Sequence, residues 1–358
     1  LDTHAPPGSR SGVSVRGRWA RGTGDVELIA VASGDGSGVV ADPAALGADD
    51  HAALASWLDD PDRGVVLHDA KGPSHALAAI GLPVRGLVAD TALSAFLVLP
   101  GQRSYDLSDL VIRFTGHDLR ADAGPVDQQT QLSLDGGDEA EQGDEEVVKA
   151  RAVLDLAAAL DAELDRRGGR RLLDDVELPL VDVLARMERD GIAVDVPGLE
   201  GLEAEFAGQV AQAAQDAYDA IGHEVNLGSP KQLQVVLFDE LGMPKTKRTK
   251  TGYTTDADAL ADLYAKTEHS FLEALLRHRD ATRLRTTVEG LLKCVDDDER
   301  IRTTFNQMIA ATGRLSSTDP NLQNIPVRTE AGRRIRHTFV VGEGYDTLMT
   351  ADYSQIEM

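Results

Sequence analysis

The side chains best suited to chemistry in this 358-residue sequence lie at residues 312–328. The run reads TGRLSSTDPNLQNIPVR and combines two arginines and three side-chain amides with several hydroxyls. Arginine and amide groups can reach the acceptors of a DNA minor groove, and hydroxyls suit phosphate oxygens. From these residues alone, the alternative is a loop whose polar side chains bond its own backbone.

A second run, MTADYSQIE at residues 349–357, places an acid directly after apolar residues. We predict a strand over Leu348–Asp352 that holds the Asp352 carboxylate rigidly at its end, where it can bind a divalent metal ion. Such an ion would clamp substrate phosphates. The alternative is that Asp352 caps a following helix while Tyr353 packs in the core.

Together, the two runs closely resemble the palm sequences of family A DNA polymerases. The resemblance continues upstream into a helical region that resembles the family's thumb and contains LPLVDVLARMERDGIAVD, SPKQLQVVLFDELGMP and KTKRTKTGYTTDADAL. Still further upstream, a segment that resembles the exonuclease-type domain reads VADTALSAFLVLPGQRSYDLSDLV. The resemblance therefore covers most of the chain.

The resemblance assigns catalytic roles to the second run. Asp352 and the backbone carbonyl of Tyr353 match groups that bind the catalytic metal ions, for which Mg²⁺ is expected. Glu357 matches the residue that crowds the sugar 2′ position and so excludes ribonucleotides, and Gln355 lies beside it in the motif.

The resemblance also implies which groups contact DNA and nucleotide. Arg314 matches the arginine that reads the minor groove at the primer terminus, and Gln323 and Asn324 match groups near the duplex. Arg328 matches an arginine near the phosphates of the incoming nucleotide. The thumb tip that tracks the duplex backbone corresponds to a basic loop with the cations Lys245, Lys247, Arg248 and Lys250.

The implied activity is DNA-directed DNA polymerisation in replication and repair, by a monomer that binds primer-template DNA and deoxynucleoside triphosphates. Phosphoryl transfer with two metal ions needs more than one carboxylate. The family supplies a further carboxylate from a motif that this sequence does not reach, so we expect a fragment that ends inside the palm and does not polymerise DNA alone. The alternative is a non-catalytic module that binds duplex DNA.

The order of strand-like and helical patterns predicts an α/β region followed by a mostly-α region. We assign residues 1–177 to an exonuclease-like α/β domain, 178–298 to a helical thumb, and 299–358 to the beginning of an α+β palm. Residues 121–146 are acidic and rich in glycine, which predicts a mobile surface insertion. Ser229, followed by Pro230 and Gln232, predicts a capped helix start.

The exonuclease-like region departs from active proofreading domains, which hold two metal ions with a set of acids. The segment that corresponds to the first motif, Gly12–Arg18, has no acid. The second, His68–Lys71, keeps only Asp69, which we expect to cap a helix, and the helix over Glu145–Arg167 lacks the tyrosine of the third. We therefore predict no proofreading, against the alternative of a nuclease built on residues 1–177.

The net charge of −24 opposes binding of nucleic acid by the chain as a whole. Two stretches reverse that sign: residues 245–255 hold four cations and no acid, and residues 301–341 hold six arginines against two acids. Because salt screens distant charges within about 8–10 Å, such patches can still bind phosphate. The single cysteine, Cys294, excludes a disulfide scaffold, and no apolar run could span a membrane, so a cytoplasmic protein is expected.

Overall fold

The computed structural model describes residues 5–119, 137–250 and 252–354, with side chains from residue 142 onward in the second range. The chain forms two compact units. The first unit comprises Leu1–Gly191 and Arg302–Gln323, and the second comprises Ile192–Ile301 and Asn324–Met358. Strands and helices occur in both, so the predicted mixed α/β class is confirmed at that coarse level. No helix in the described ranges has the length and apolar character needed to cross a membrane.

The first unit is built on a five-stranded sheet with the order β3-β2-β1-β4-β5. Its strands are β1 (Arg10–Ala20), β2 (Thr23–Ser33), β3 (Gly38–Ala41), β4 (Gly64–Leu67) and β5 (Leu87–Asp90). The first three strands pair antiparallel, whereas β4 pairs parallel with both β1 and β5. Arg21 and Gly22 connect β1 to β2 and both have positive φ, as a two-residue turn between twisted strands requires.

The described helices of the first unit are α1 (Ala48–Asp59), α2 (Lys71–Ala79), α3 (Thr91–Val98), α4 (Leu107–Thr115), α5 (Gly137–Arg167) and α6 (Leu178–Asp190). The long helix α5 packs along β1 and β2. It buries Leu156, Leu160 and Leu164, which lie one helical turn apart. Gly12 on β1 permits this close approach, because a Cβ at that position would lie 2.0 Å from the Ala150 carbonyl oxygen.

Two further pieces complete the first unit. A helical turn, Arg170–Leu172, and a π-helical turn, Leu173–Glu177, connect α5 to α6. Strands β10 (Thr304–Asn306) and β11 (Ser316–Thr318) return to the same unit from the far end of the chain and pair as an antiparallel hairpin.

The second unit is mainly helical. Its described elements are β6 (Ile192–Ala193), α7 (Val196–Ile221), α8 (Pro230–Gln234) with a π-helical continuation (Val235–Glu240), β7 (Arg248–Thr249), β8 (Gly252–Tyr253), α9 (Ala257–Thr267), α10 (Ser270–Leu292), β9 (Arg300–Ile301) and α11 (Glu330–His337). Helices α7 and α10 pack against each other, and Phe206 and Phe271 are fully buried. Strands β6 and β9 pair antiparallel.

Two predicted segments differ from the structure. The insertion predicted over residues 121–146 is wrong in its last part, because α5 begins at Gly137; residues 120–136 lie outside the described residues. The strand predicted over Leu348–Asp352 is also wrong, since no described segment pairs with it. Leu348 and Met349 are 48% and 84% exposed, so neither pairing nor burial is available to stabilise an extended strand there.

Asp90, at the end of β5, is the buried acid that organises the turn before α2 and the start of α3. Its Oδ1 accepts from the backbone N–H of Ala92 at 2.9 Å and of Asp69 at 3.0 Å, and its Oδ2 accepts from Ala70 N at 2.7 Å. Burial, with a smaller contribution from the Asp69 charge, raises the pKa of Asp90 to about 7 despite these donors. The native state therefore binds a proton that the unfolded chain, whose carboxyls titrate near pH 4, has already released.

We predict that Asp90 makes the protein less stable as the pH rises from about 4 to about 7, and that its contribution is constant above that range. The sign follows because the folded state holds the proton more tightly than the unfolded state. Urea unfolding at several pH values in this range measures the free energy of unfolding. For the parent, Asp90 should contribute a decrease approaching about 1.4 kcal/mol per pH unit, and Asp90→Asn should remove that contribution. The exposed Asp109→Asn on α4 is the control and should leave the slope unchanged; equal slopes for the Asp90 variant and the parent would contradict the prediction.

Candidate nucleic-acid interface

The basic loop between α8 and α9 folds into a small hairpin around the antiparallel strands β7 and β8. It is called the thumb-tip hairpin (described residues 245–250 and 252–254) after the role that the sequence resemblance predicts for it. Thr246 Oγ1 donates to the Thr254 carbonyl at 2.6 Å. Thr254 N donates to the Lys247 carbonyl at 3.0 Å. These bonds close the base of the hairpin and limit the positions that its cations can adopt.

Tyr253 fastens the thumb-tip hairpin to α8 and its continuation. Its ring packs edge-on against Phe238, with 5.2 Å between ring centroids, and its backbone N–H donates to Gln234 Oε1 at 2.9 Å. Gly252 precedes it with a φ of 133°, and a Cβ there would lie 2.2 Å from the same Gln234 oxygen. Glycine is therefore favoured by the backbone angle, which other residues rarely adopt.

The four predicted DNA-contacting cations of this hairpin, Lys245, Lys247, Arg248 and Lys250, are all exposed. Lys245 Nζ lies 5.1 Å from the centre of the Tyr253 ring, a cation–π contact. Within the described ranges, none of the four forms an ion pair with an acid. These cations can therefore approach a phosphate backbone without first breaking a salt bridge.

Arg314 lies in the exposed connection between β10 and β11 of the first unit. The base of this hairpin is closed by the hydroxyls of Thr303 and Ser317, which hydrogen-bond at 2.7 Å. Gln323 folds back onto the same connection, because its Nε2 donates to the Leu315 carbonyl at 3.0 Å. The structure thus brings two predicted DNA-contacting residues, Arg314 and Gln323, to one edge of one hairpin.

Asn324 and Arg328 belong to the second unit, and Arg328 is exposed just before α11. Thr329 caps α11 by accepting a backbone N–H at 3.1 Å. Arg334 on the same helix donates two hydrogen bonds, of 2.8 and 2.5 Å, to the carboxylate of Glu205 on α7. These contacts fix the helix that directly follows Arg328.

Asp352 and Tyr353 are exposed at the end of the described residues, with Tyr353 84% exposed. The alternative in which Tyr353 packs in the core is therefore wrong. An exposed Asp352 carboxylate is free to meet a cation, although no strand holds it. Gln355 and Glu357 lie outside the described residues, and the roles assigned to them stay predictions.

The strand that corresponds to the first exonuclease motif presents a hydroxyl to a buried acid. Ser14 Oγ on β1 donates to Glu146 Oε2 at 2.7 Å, and Lys149 Nζ donates to Glu146 Oε1 at 2.8 Å. Glu146 is 2% exposed. The Glu146 carboxylate is thus bonded within the unit, to a serine hydroxyl and to a lysine ammonium that also contacts Glu145 at 2.9 Å.

The segment that corresponds to the second motif also differs from the expectation. Asp69 does not cap α2, so that prediction is wrong: Ala70 occupies the cap position, and no side chain bonds there. Asp69 adopts a φ of 49°, and its backbone N–H is used by Asp90. The described residues contain no group of three or more His, Cys, Asp or Glu side chains placed to hold a metal ion.

Comparison with known proteins decides the family. Residues 196–358 match the family model described as DNA polymerase family A. The chain belongs to DNA polymerase family A. The family resemblance read from the two palm runs is therefore confirmed.

Similarity to polymerases extends over the whole chain. The chain is 58% identical over 358 residues to DNA polymerase I of Mycobacterium tuberculosis (strain H37Rv). This match covers all of this chain and 40% of that protein. The chain is 39% identical over 305 residues to DNA polymerase I of Geobacillus stearothermophilus, covering 85% of this chain and 34% of that protein. The chain thus spans well under half the length of these curated relatives.

A solved structure gives the same assignment. The POL domain of Pol1 from M. smegmatis, in complex with DNA primer-template and dNTP, matches with a TM-score of 0.90 and 55% sequence identity. The match covers all of this chain and 59% of that chain. The match agrees with the mixed α/β class and does not test the finer division into domains.

Several contacts at this interface are not visible in the sequence. Gln234 orients Tyr253 from 19 residues away, and Gln323 reaches back eight residues to Leu315. Neither glutamine differs in its local pattern from any exposed polar residue. The Ser-x-x-Gln motif at Ser229 gave the only signal near Gln234, since it predicts the start of the helix on which that side chain lies.

Proposed function

We propose that this chain is part of a DNA-directed DNA polymerase, a nucleotidyltransferase that extends a primer in DNA replication and repair. The observation that carries the proposal is the 58% identity to a DNA polymerase I along all 358 residues. The proposed partners are primer-template DNA and deoxynucleoside triphosphates, and the proposed state is a monomer. The matching structure, described as a complex with primer-template and dNTP, supports these partners.

The proposed domains are those of the sequence prediction: an exonuclease-like domain over residues 1–177, a thumb over 178–298 and the start of a palm over 299–358. The compact units divide the chain at other points, because β10, β11 and α6 pack with the exonuclease-like residues.

The chain's own residues would bind and orient the primer-template. The cations of the thumb-tip hairpin would neutralise backbone phosphates, which gives affinity without sequence preference. Arg314 would donate to minor-groove acceptors near the primer terminus, with Gln323 and Asn324 close to the duplex. Arg328 would contact the phosphates of the incoming nucleotide. Fixing reactants in place supplies much of the rate in phosphoryl transfer.

Asp352 and the backbone carbonyl of Tyr353 are hard oxygen donors of the kind that Mg²⁺ binds. Both residues are exposed, so these donors fit a metal site at this end of the chain. Because two-metal catalysis needs more than one carboxylate, we propose that they supply only part of the ligand set. When bound, the metal ions would neutralise charge on the transferred phosphoryl group.

Glu357 and Gln355 would complete the nucleotide site. Glu357 would crowd the 2′ position of the incoming sugar and so exclude ribonucleotides, with Gln355 beside it. This assignment comes from the motif ADYSQIEM alone.

We predict that a chimera made from M. tuberculosis DNA polymerase I, with its matching segment replaced by this chain, extends a DNA primer. Asp352→Asn in the chimera should reduce kcat by roughly 1000-fold or more, because a metal ligand contributes several kcal/mol of transition-state stabilisation. Single-nucleotide incorporation under saturating primer-template and dNTP is the measurement. The nearby exposed Asp346→Asn is the matched control and should extend the primer normally; full activity of the Asp352 variant would contradict its assigned role.

We predict that the thumb-tip hairpin binds duplex phosphates. In the chimera, Lys247→Ala combined with Arg248→Ala should weaken duplex binding for all sequences alike and lower the slope of log affinity against log salt by about 2. Fluorescence anisotropy at several salt concentrations measures both quantities. Lys231→Ala combined with Lys266→Ala removes the same charge from exposed sites in the same unit; if that pair lowers the slope equally, the hairpin is not a specific phosphate contact.

We propose that the exonuclease-like region does not proofread. The proposal is supported by the acid-free segment Gly12–Arg18 and by the Lys149 partner of Glu146. Incubation of the chain with a mispaired 3′ end and Mg²⁺ should release no nucleotide. Release that Asp69→Ala abolishes would contradict the proposal and favour a nuclease.

The second candidate function is a duplex-binding module without catalysis. The exposed cations of the thumb-tip hairpin favour such a module as much as they favour a polymerase. The chimera separates the two, because a module would bind the duplex with the predicted salt dependence and would not restore primer extension.

A further inference from the structure

Glu188 on α6 is a buried acid whose partners come from a distant helix of the first unit. Its side chain is 3% exposed. Its Oε2 lies 2.6 Å from His75 Nε2, and its Oε1 contacts the Lys71 ammonium. Both partners belong to α2, the helix that follows β4 of the central sheet. The carboxylate therefore ties α6 to the exonuclease-like core.

The same carboxylate holds the hairpin of β10 and β11. Phe305 N donates to Glu188 Oε1 at 2.6 Å. Phe305 pairs in register with Ser317 on β11, so the contact reaches both strands. One carboxylate thus joins three chain segments that lie more than 100 residues apart.

Two contacts beside Phe305 extend this attachment. Arg302 Nε donates to the Arg189 carbonyl at 2.8 Å. Gln307 Nε2 donates to the Glu177 carbonyl at 3.0 Å and to the Glu177 carboxylate at 2.9 Å. The strand that leads toward Arg314 is therefore fastened along its whole length to α6 and to the turn before it.

The three donors around Glu188 favour its ionised form, because a carboxylate accepts hydrogen bonds at both oxygens. Burial is the largest single influence and raises the pKa of the Glu188 carboxyl, but the hydrogen bonds from His75, Lys71 and Phe305 N and the Lys71 charge together outweigh it and lower that pKa. A buried carboxylate is tolerated only with such partners. An apolar side chain could fill the same space, but it would leave Phe305 N without its acceptor.

We infer that Glu188, held by Lys71 and His75, is a positioning residue for the hairpin that carries Arg314. The inference rests on the proposed function, in which Arg314 and Gln323 contact the primer duplex. Strands β10 and β11 have three residues each, too few to keep a fixed shape alone. Because this brace orders the hairpin before DNA arrives, less conformational freedom is lost on binding. The exonuclease-like region then serves polymerisation as a scaffold.

The test is a double-mutant cycle in the chimera, with Glu188→Gln, Arg314→Ala and both together. Equilibrium binding of a primer-template duplex is measured at one salt concentration. Glu188→Gln alone is expected to weaken binding roughly 5- to 10-fold, and to have little further effect once Arg314 is replaced. That result would show action through the hairpin. Losses that simply add, or no loss from Glu188→Gln, would overturn the inference.

Glu146→Gln is the matched control, because Glu146 is also a buried, hydrogen-bonded acid of the first unit. It is expected to lower the melting temperature while leaving duplex affinity unchanged. Equal weakening of duplex binding by Glu146→Gln would attribute the effect to general destabilisation and overturn the inference.

Lys71→Gln provides a milder variant if Glu188→Gln does not fold. Faster hydrogen exchange at the Phe305 amide, together with weaker duplex binding, is expected. Unchanged exchange and unchanged binding would overturn the inference. If the parent chimera neither binds the duplex nor extends the primer, the proposed function is contradicted. If it does both, but the effects of the Glu188 and Arg314 substitutions on duplex binding are not coupled, only this inference is contradicted.

Discussion

The hydrogen bonds and ion pair of the buried Glu188 carboxylate hold the hairpin of β10 and β11 against the rest of the first unit. A carboxylate with 3% exposure persists because an ammonium, an imidazole and a backbone N–H all point at it. Removing any one partner leaves polar atoms buried without compensation, which costs more than the contact contributes. Glu146, which accepts from Ser14 and Lys149, follows the same rule, whereas at Asp90 burial outweighs the backbone donors and raises the pKa to about 7. The first unit is therefore assembled around satisfied acids as well as an apolar core.

The distribution of charge reconciles an acidic chain with the proposed nucleic-acid partner. Many acids of the first unit form internal ion pairs, as Glu163 does with two arginines. These acids contribute to folding, and they are also counted in the net charge of −24. The cations of the thumb-tip hairpin are exposed and project from a closed base. Phosphate within a Debye length responds to those nearby cations more than to the distant acids. The position of these exposed cations is therefore compatible with the proposed DNA partner.

Local pattern predicted the elements whose stabilising contacts are near in sequence. The helix start predicted at Ser229 is confirmed, because Ser229 caps α8 by accepting from Gln232 N at 3.5 Å. The strand over Leu348–Asp352 failed because strand formation needs a partner, which no local pattern can supply. In the candidate site, motifs identified the residue types, whereas the contact of Phe305 with Glu188 joins positions 117 residues apart. Such contacts are set by packing, which a single sequence does not display.

Hydrogen–deuterium exchange of the 358-residue chain, with and without a primer-template duplex at low salt, tests the central claim most directly. If the chain is the DNA-binding part of a polymerase, the duplex should slow exchange in two segments, residues 245–254 and 312–328, and leave the β1–β2 hairpin unaffected. Slower exchange confined to residues 5–119, or no change in either predicted segment at a duplex concentration that saturates binding, would contradict the account.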